Sequence, residues 1–554
     1  MPVKRYGIYL AYAPRVDLRN QGLGRYLASL IRGAQAIAGV EFIIACPSWS
    51  RDALQDLFVS EGLSKRVTVI SPPGKPYLLR IYEAYRAFQR RPRRRVRLSD
   101  RLRANLRKHR NRLERCLAQT HDLNGIVRLL AVGTYSAAVG LISLPPLLAA
   151  AVLAKSSRAL KGKATALIQR IRVPLNRWVE SPKDDPWTLR LFHSMHETES
   201  LRLKSLVESR DDVIAWCSPT AFWPAFNALR VPTLMCVPDV VLTDFSIGFA
   251  TVGGDRFLDT FEAVGSAIRG ARHRVTYSDD VKWGTLVDRY GVPSATVSVI
   301  RHAPHTLDHL LEINGFPDPS STSRNYCRGQ LLDALRKGLP RDYTAGMCNP
   351  DIRFLFYPSQ IRPNKNMLTL LRAYRYLLRE RHLGLKLVLT GDPSTAEHLS
   401  DYLKAEHLEH DVIALPGLTP TELAACYRLA ELTVNPSLSE GGCPFTFSES
   451  VSVGTPVVMS SIPVTLEVLT DPALRQATLF DPYDWRDMAA RIEWALDNRA
   501  HLLSLQRQTH DVLRQRTWAD VTHEYIQLLD AIAADYCPLT ACSKGHANAP
   551  HTLA

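Results

Sequence analysis

The chain of 554 residues is long enough for two or three domains, and its 46% hydrophobic and 22% charged residues are ordinary for a globular protein. The formal net charge of +15 is unevenly placed: residues 75–180 hold 24 of the 69 Lys and Arg but only 5 of the 54 Asp and Glu, which leaves the remainder slightly acidic. A nucleic-acid enzyme carries its basic stripe across its working domains, so that class is disfavoured; the ten cysteines form no C-x-x-C pair and no structural-zinc spacing, which points to a reducing, cytosolic setting.

In chain order, residues 1–74 read as β-α-β. An apolar strand at Tyr6–Ala13 leads to a polar loop with Gly22-Leu23-Gly24-Arg25-Tyr26, then a helix over Tyr26–Ile37 and a strand at Glu41–Cys46. The N-terminus lacks the basic-then-apolar layout of a secretory signal. Residues 75–180 break the rhythm with the run RRPRRRVR (Arg90 to Arg97), followed by a stretch from Leu129 to Ala154 whose one ionisable side chain is Tyr135. That stretch could span a bilayer by length. Residues on either side of 75–180 build one domain, however, and a single crossing would put its halves on opposite faces. A shallow hairpin turning at Pro145–Pro146, or a helix pair in the interface, is the consistent membrane reading. An apolar helix buried in a helical subdomain is the alternative.

Residues 181–340 return to α/β alternation, with short β-branched strands at Asp212–Cys217, Thr233–Asp239, Arg274–Ser278 and Thr296–Ile300. Residues 345–525 repeat it with RFLFYPS, KLVLTG, VIALPG, LTVNPS and TPVVMS. Residues 526–554 complete a helix and end in a tail expected to be disordered from Pro538. Two such blocks predict two Rossmann-like domains facing a cleft, the first discontinuous around 75–180, with ligands beyond the carboxyl ends of the strands.

The second block carries the chemistry. After RFLFYPS, the segment Gln360-Ile361-Arg362-Pro363-Asn364-Lys365-Asn366 opens a helix and sets two cations beside unpaired helix N–H groups, an arrangement that suits a diphosphate. Farther on, Ser439-Glu440-Gly441-Gly442 ends another strand, and Cys443-Pro444-Phe445-Thr446-Phe447-Ser448-Glu449 leads to Gly454-Thr455-Pro456-Val457-Val458. The glycines admit backbone amides close to a ligand, and a carboxylate at the start of the next helix accepts hydrogen bonds from a ribose diol.

RPNKN, LTG, PGLTPTELAACYRLAELTVNPS, SEGG, SES and GTPVV together resemble family 4 of the retaining GT-B glycosyltransferases, over most of residues 350–500. The resemblance implies that Arg362 and Lys365 bind the donor diphosphate, that Glu449 holds the nucleotide ribose with Thr446 in the same loop, and that Glu440, Gly441 and Gly442 lie against the donor sugar and phosphates. Gly22 and Gly24 correspond to a glycine loop over the donor phosphate. Eight residues separate the two acids where the family has seven; Gly454 stands five residues after Glu449, as expected, so the extra residue falls in the GGCPFTFS loop. Gln360 stands where many members have the arginine. The family's active-site histidine is not evident: Pro238 replaces it and Asp239 remains, which makes Asp239 and Glu440 the expected catalytic-face residues. His193, His196 and His302 are candidates by residue type.

The resemblance further implies transfer of a sugar, with GDP-mannose as the donor by family habit, to a glycan or lipid-linked acceptor, without metal or other cofactor. The expected location is peripheral or monotopic on the cytoplasmic membrane face, with 75–180 on anionic lipid and no nucleic acid bound. A catalytically silent GT-B scaffold and a GT-B-fold sugar epimerase are the alternatives.

Overall fold

The computed structural model describes residues 3–14, 16, 22–63, 67–77, 79, 134, 187–254, 256–339 and 352–536. The basic and apolar segment 75–180 lies almost wholly outside them, as does the tail from 537. Among the described residues no helix is long and apolar enough to cross a membrane.

Two parallel sheets organise the chain. The first has seven strands: β1 (Lys4–Tyr9), β2 (Val40–Ala45), β3 (Thr68–Ile70), β4 (Trp216–Ser218), β5 (Thr233–Cys236), β6 (Arg274–Thr276) and β7 (Val297–Val299). Their spatial order is β3-β2-β1-β4-β5-β6-β7. The second has six: β8 (Phe354–Tyr357), β9 (Lys386–Leu389), β10 (Val412–Ala414), β11 (Leu432–Asn435), β12 (Val457–Ser460) and β13 (Leu479–Phe480), in the order β10-β9-β8-β11-β12-β13. Both are doubly wound, with the order reversing between β1 and β4 and between β8 and β11. At such a point the crossovers leave in opposite directions and open a crevice at the carboxyl ends of the strands.

The strand residues explain the layering. The last four residues of β1 and β2, and all of β8, β11 and β12, are buried. Strands apolar on both faces need helices on both faces, which parallel crossovers supply. The observed strands are shorter than the apolar runs that mark them; Asp212–Cys217, for instance, yields only Trp216–Ser218. The edge strands β3 and β13, with three and two residues, carry no readable pattern.

The helix Trp518–Ala534 packs on the first domain, although its opening residues fall within the stretch expected to belong to the second. Thr517 and Asp520 form a reciprocal capping box at its start. Tyr525 shares a hydrogen bond of 2.8 Å with Tyr26, and the Thr522 hydroxyl donates to the Leu30 carbonyl at 3.0 Å, both partners lying on the helix Gly22–Gln35. That helix extends earlier than Tyr26–Ile37, and its start carries part of the candidate site. The two helices touch at Gly33, where a Cβ would lie 2.1 Å from the Trp518 carbonyl oxygen.

Gly33→Ala therefore has to push these backbones apart. The expected outcome is a loss of about 1–3 kcal/mol in denaturant unfolding, with faster amide exchange in 518–534; unchanged exchange there would refute the packing role.

Candidate active site between the two sheets

The β8 and β11 ends are tied together first. Leu438 N–H donates to the Asn364 carbonyl at 2.8 Å, and Asn364 Nδ2 donates to the Ser439 carbonyl at 3.3 Å. The RPNKN turn and the SEGG loop are thus one unit at the switch point. Asn366 closes the turn with φ 52°, a left-handed conformation that asparagine tolerates, and the helix Met367–Arg379 begins behind it.

Lys365 and Glu440 form an ion pair inside this unit, each side chain 19% exposed. Burial works against the Lys365 ammonium, but Glu440 and then Tyr357 more than offset it and raise its pKa. Arg362 is exposed and donates to Gln360 Oε1 at 2.7 Å, so the glutamine steadies the arginine beside it. Asp239 follows β5 on the facing domain. The protein around it raises its carboxyl pKa by desolvation, with Lys365 opposing and Glu440 adding to the rise, although the residue still meets solvent at the cleft. Asp239, Glu440, Lys365 and Arg362 therefore form one electrostatic group drawn from both domains.

Gly441 and Gly442 have protein against them. A Cβ on Gly441 would stand 1.7 Å from the Pro238 carbonyl oxygen; one on Gly442 would stand 2.9 Å from Tyr277 Cβ and 3.0 Å from His302 Nε2. Ser278 Oγ donates to the Gly441 carbonyl at 2.9 Å. The missing side chains let this loop press on the first domain beside Asp239. A second bridge lies nearby: Glu467 accepts from the Asp279 amide at 3.1 Å and pairs with Arg301 at 2.6 Å.

Glu449 lies deeper, in the helix Phe445–Ser452, and is 2% exposed. Its Oε1 accepts from Arg25 Nη1 at 2.5 Å and pairs with His305 Nδ1 at 2.9 Å; its Oε2 accepts from the Tyr427 hydroxyl at 2.7 Å. Burial pushes the carboxyl upward, but Arg25, His305 and Tyr427 together bring it down to about 2. Thr446 lies on the same helix. Gly22 opens the helix that carries Arg25, and Gly24 is buried within it.

The histidine candidates separate. His302 is packed between Tyr277 and Phe445, with ring centroids 5.6 and 4.7 Å away, and burial lowers its pKa to about 4. His196 Nε2 bonds the Ala11 carbonyl at 3.2 Å, and His193 is exposed on the same helix. The histidine that reaches the site is His305, which the sequence did not single out. Arg25 and Tyr427 were likewise legible only as members of GLGRY and AACYRLA; nothing in their spacing ties them to Glu449.

Two parallel doubly wound domains meeting across such a cleft are the GT-B fold. Among solved structures, HepE of Anabaena, in complex with UDP and glucose, superposes with TM-score 0.51 at 12% identity, covering 95% of this chain and 100% of that one. The trehalose-6-phosphate phosphatase N-terminal domain of Candida albicans gives 0.54 at 11%, with 96% and 97% covered. Residues 348–511 match the family Glycosyl transferases group 1.

Among curated proteins, the chain is 29% identical over 182 residues to the serotype-specific mannosyltransferase WbdA of Escherichia coli, which spans 32% of this chain and 22% of that protein. It is 25% identical to the lipopolysaccharide 1,2-N-acetylglucosaminetransferase of Salmonella typhimurium over 32% and 47% of the two chains. Similarity to the D-inositol 3-phosphate glycosyltransferase of Thermobispora bispora is 28% over 321 residues, 55% and 67% of the two. The chain thus spans less than half of the first two relatives.

Glu449 makes stability depend on acid. Its native pKa of about 2 lies below the ordinary 4.5, so the native state is favoured above pH 4.5, and that contribution is lost as pH falls toward 2. It amounts to at most about 3 kcal/mol. The stability advantage of wild type over Glu449→Gln is expected to shrink across this window in denaturant titrations; a pH-independent difference would contradict the assignment.

Proposed function

We propose that the protein is a retaining glycosyltransferase that moves a sugar from a nucleoside diphosphate to a glycan or lipid-linked acceptor in polysaccharide synthesis. The observation that carries this reading is the grouping of Lys365, Arg362 and Glu440 at the second switch point, with Asp239 facing them and the buried Glu449 behind. Relatives named mannosyltransferases and a lipopolysaccharide N-acetylglucosaminetransferase support the class of reaction, and mannose from GDP-mannose is the donor we favour.

The chemistry follows from charge. As the bond from the anomeric carbon to the phosphate oxygen breaks, negative charge collects on the diphosphate. Lys365 and Arg362 are cations placed to receive it, and fixed positive charge in a site partly closed to water needs little reorganisation. For retention, the acceptor oxygen bonds the anomeric carbon on the face the phosphate leaves, and the acceptor proton passes to the departing phosphate oxygen. No protein base is then required, which fits Pro238 at the histidine position. Glu449 would grip the ribose. Asp239 and Glu440 would hydrogen-bond the transferring sugar, and the Gly441–Gly442 loop brings both to one wall.

Lys365→Ala is expected to lower kcat/KM for sugar transfer by about 100-fold or more, measured across a panel of nucleotide sugars, and to remove the thermal stabilisation given by the matching nucleoside diphosphate. Binding without donor hydrolysis or transfer in wild type would favour the silent scaffold instead.

For the segment 75–180 we propose attachment to an anionic membrane surface, supported by its concentrated basic charge and the uncharged run beside it. Replacing Arg90, Arg91, Arg93, Arg94, Arg95 and Arg97 with Gln is expected to reduce flotation with phosphatidylserine-containing vesicles strongly, since each basic residue contributes about 1 kcal/mol near such a surface. Undiminished flotation would exclude this role for the arginines.

A further inference from the structure

The carboxylate assigned to the ribose is covered by protein. Glu449 is 2% exposed, and its partners Arg25, His305 and Tyr427 engage both oxygens. A ribose diol approaching from the cleft has to reach Oε1 or Oε2 past one of them. Tyr427 is fully buried in the second domain, and His305 is fastened beside Glu449 by its own amide, which donates to Ser448 Oγ at 3.1 Å. Arg25 comes from the facing domain, in the first turn of the helix Gly22–Gln35, and its side chain is 32% exposed. It is the partner that can leave through the cleft. Its long flexible stem lets the guanidinium swing without moving the helix, and that planar fork suits two phosphate oxygens as well as it suits a carboxylate.

We propose that Arg25 is an exchange residue for the donor: a nucleoside diphosphate takes the guanidinium from Glu449 onto its phosphates while its ribose hydroxyls replace Arg25 at the carboxylate. This rests on the donor reading above and adds a cation from the first domain to Lys365 and Arg362. Glu449 gives up an ion pair and gains hydroxyl donors, whereas the diphosphate gains a cation. The phosphates and the ribose are both needed, because a ribose without phosphates would strip Arg25 from Glu449 and offer the guanidinium nothing in return. A buried carboxylate left without its cation or a replacement donor is strongly disfavoured. Arg25 therefore discriminates nucleoside diphosphate from nucleoside, and it ties closure of the two domains to a complete donor.

The test is calorimetric titration of the full-length chain with GDP, UDP, guanosine and uridine. In wild type the diphosphate of the preferred base binds more tightly than its nucleoside. Arg25→Ala is expected to reduce that ratio of affinities at least tenfold; an unchanged ratio, with both affinities moved together, would show that Arg25 only supports the fold and would overturn the proposal. Because Arg25→Ala leaves Glu449 buried without a cation, the same substitution is also made in the Glu449→Gln background, where no carboxylate is stranded. There it is expected still to weaken diphosphate binding about tenfold, and no further loss would mean that its whole role is to pair with Glu449. Wild type that bound none of the four ligands would overturn the donor reading itself; wild type that bound with an unaltered ratio in the variants would overturn the exchange alone.

Discussion

Glu449 is a charge held almost entirely out of water, and much of the cleft is arranged around that constraint. A buried carboxylate survives only where donors surround it. Here one comes from a helix of the first domain, one from the segment that joins the domains, and one from the helix Pro420–Leu429, which packs on β8. The charge therefore fixes more than a side chain. It requires Gly22–Gln35 to end its loop opposite the second switch point, and it requires the two domains to stand close enough for Arg25 to reach across.

That closeness is maintained at several other places. The Gly441–Gly442 loop presses on Pro238 and His302, Glu467 caps amides that follow β6, and Arg516 donates to the Arg301 carbonyl while forking onto Glu524. The C-terminal helix then returns to the first domain and packs on the very helix that presents Arg25. The polypeptide crosses between the domains twice, so their relative position depends on both crossings and on the polar contacts at the rim. Contacts of this kind, polar and individually modest, are those expected where domains must also separate to admit and release ligands.

The pairing of Lys365 with Glu440 follows the same economy on a smaller scale. Both groups face the region where a diphosphate and its sugar are proposed to lie, and Glu440 favours the charged form of Lys365 at the cleft edge. The exposed Arg362, steadied by Gln360, offers a second cation at the cleft edge. One buried ion pair, one half-buried ion pair and one exposed cation are thus ranged outward from the carboxylate of Glu449.

The two-domain α/β plan was legible because parallel strands covered on both faces must be continuous apolar runs, and RFLFYPS or LTVNPS can be little else. The grouping of Arg362, Lys365 and Glu440 was legible because each sits in a loop between a strand and a helix, whereas Glu449 lies buried within the helix Phe445–Ser452. Strands β3 and β13 were not, since so few residues carry no period. Nor were Arg25, His305 and Tyr427: as single residues their patterns are those of a helix start, a loop and a buried helix face. They acquire a role only when three distant segments converge on one carboxylate, and that convergence is set by sheet order and domain packing, which no local pattern encodes. The sequence determined which groups stand at the strand ends; the tertiary structure decided which of them meet, because burying a charge demands partners from wherever the fold can bring them.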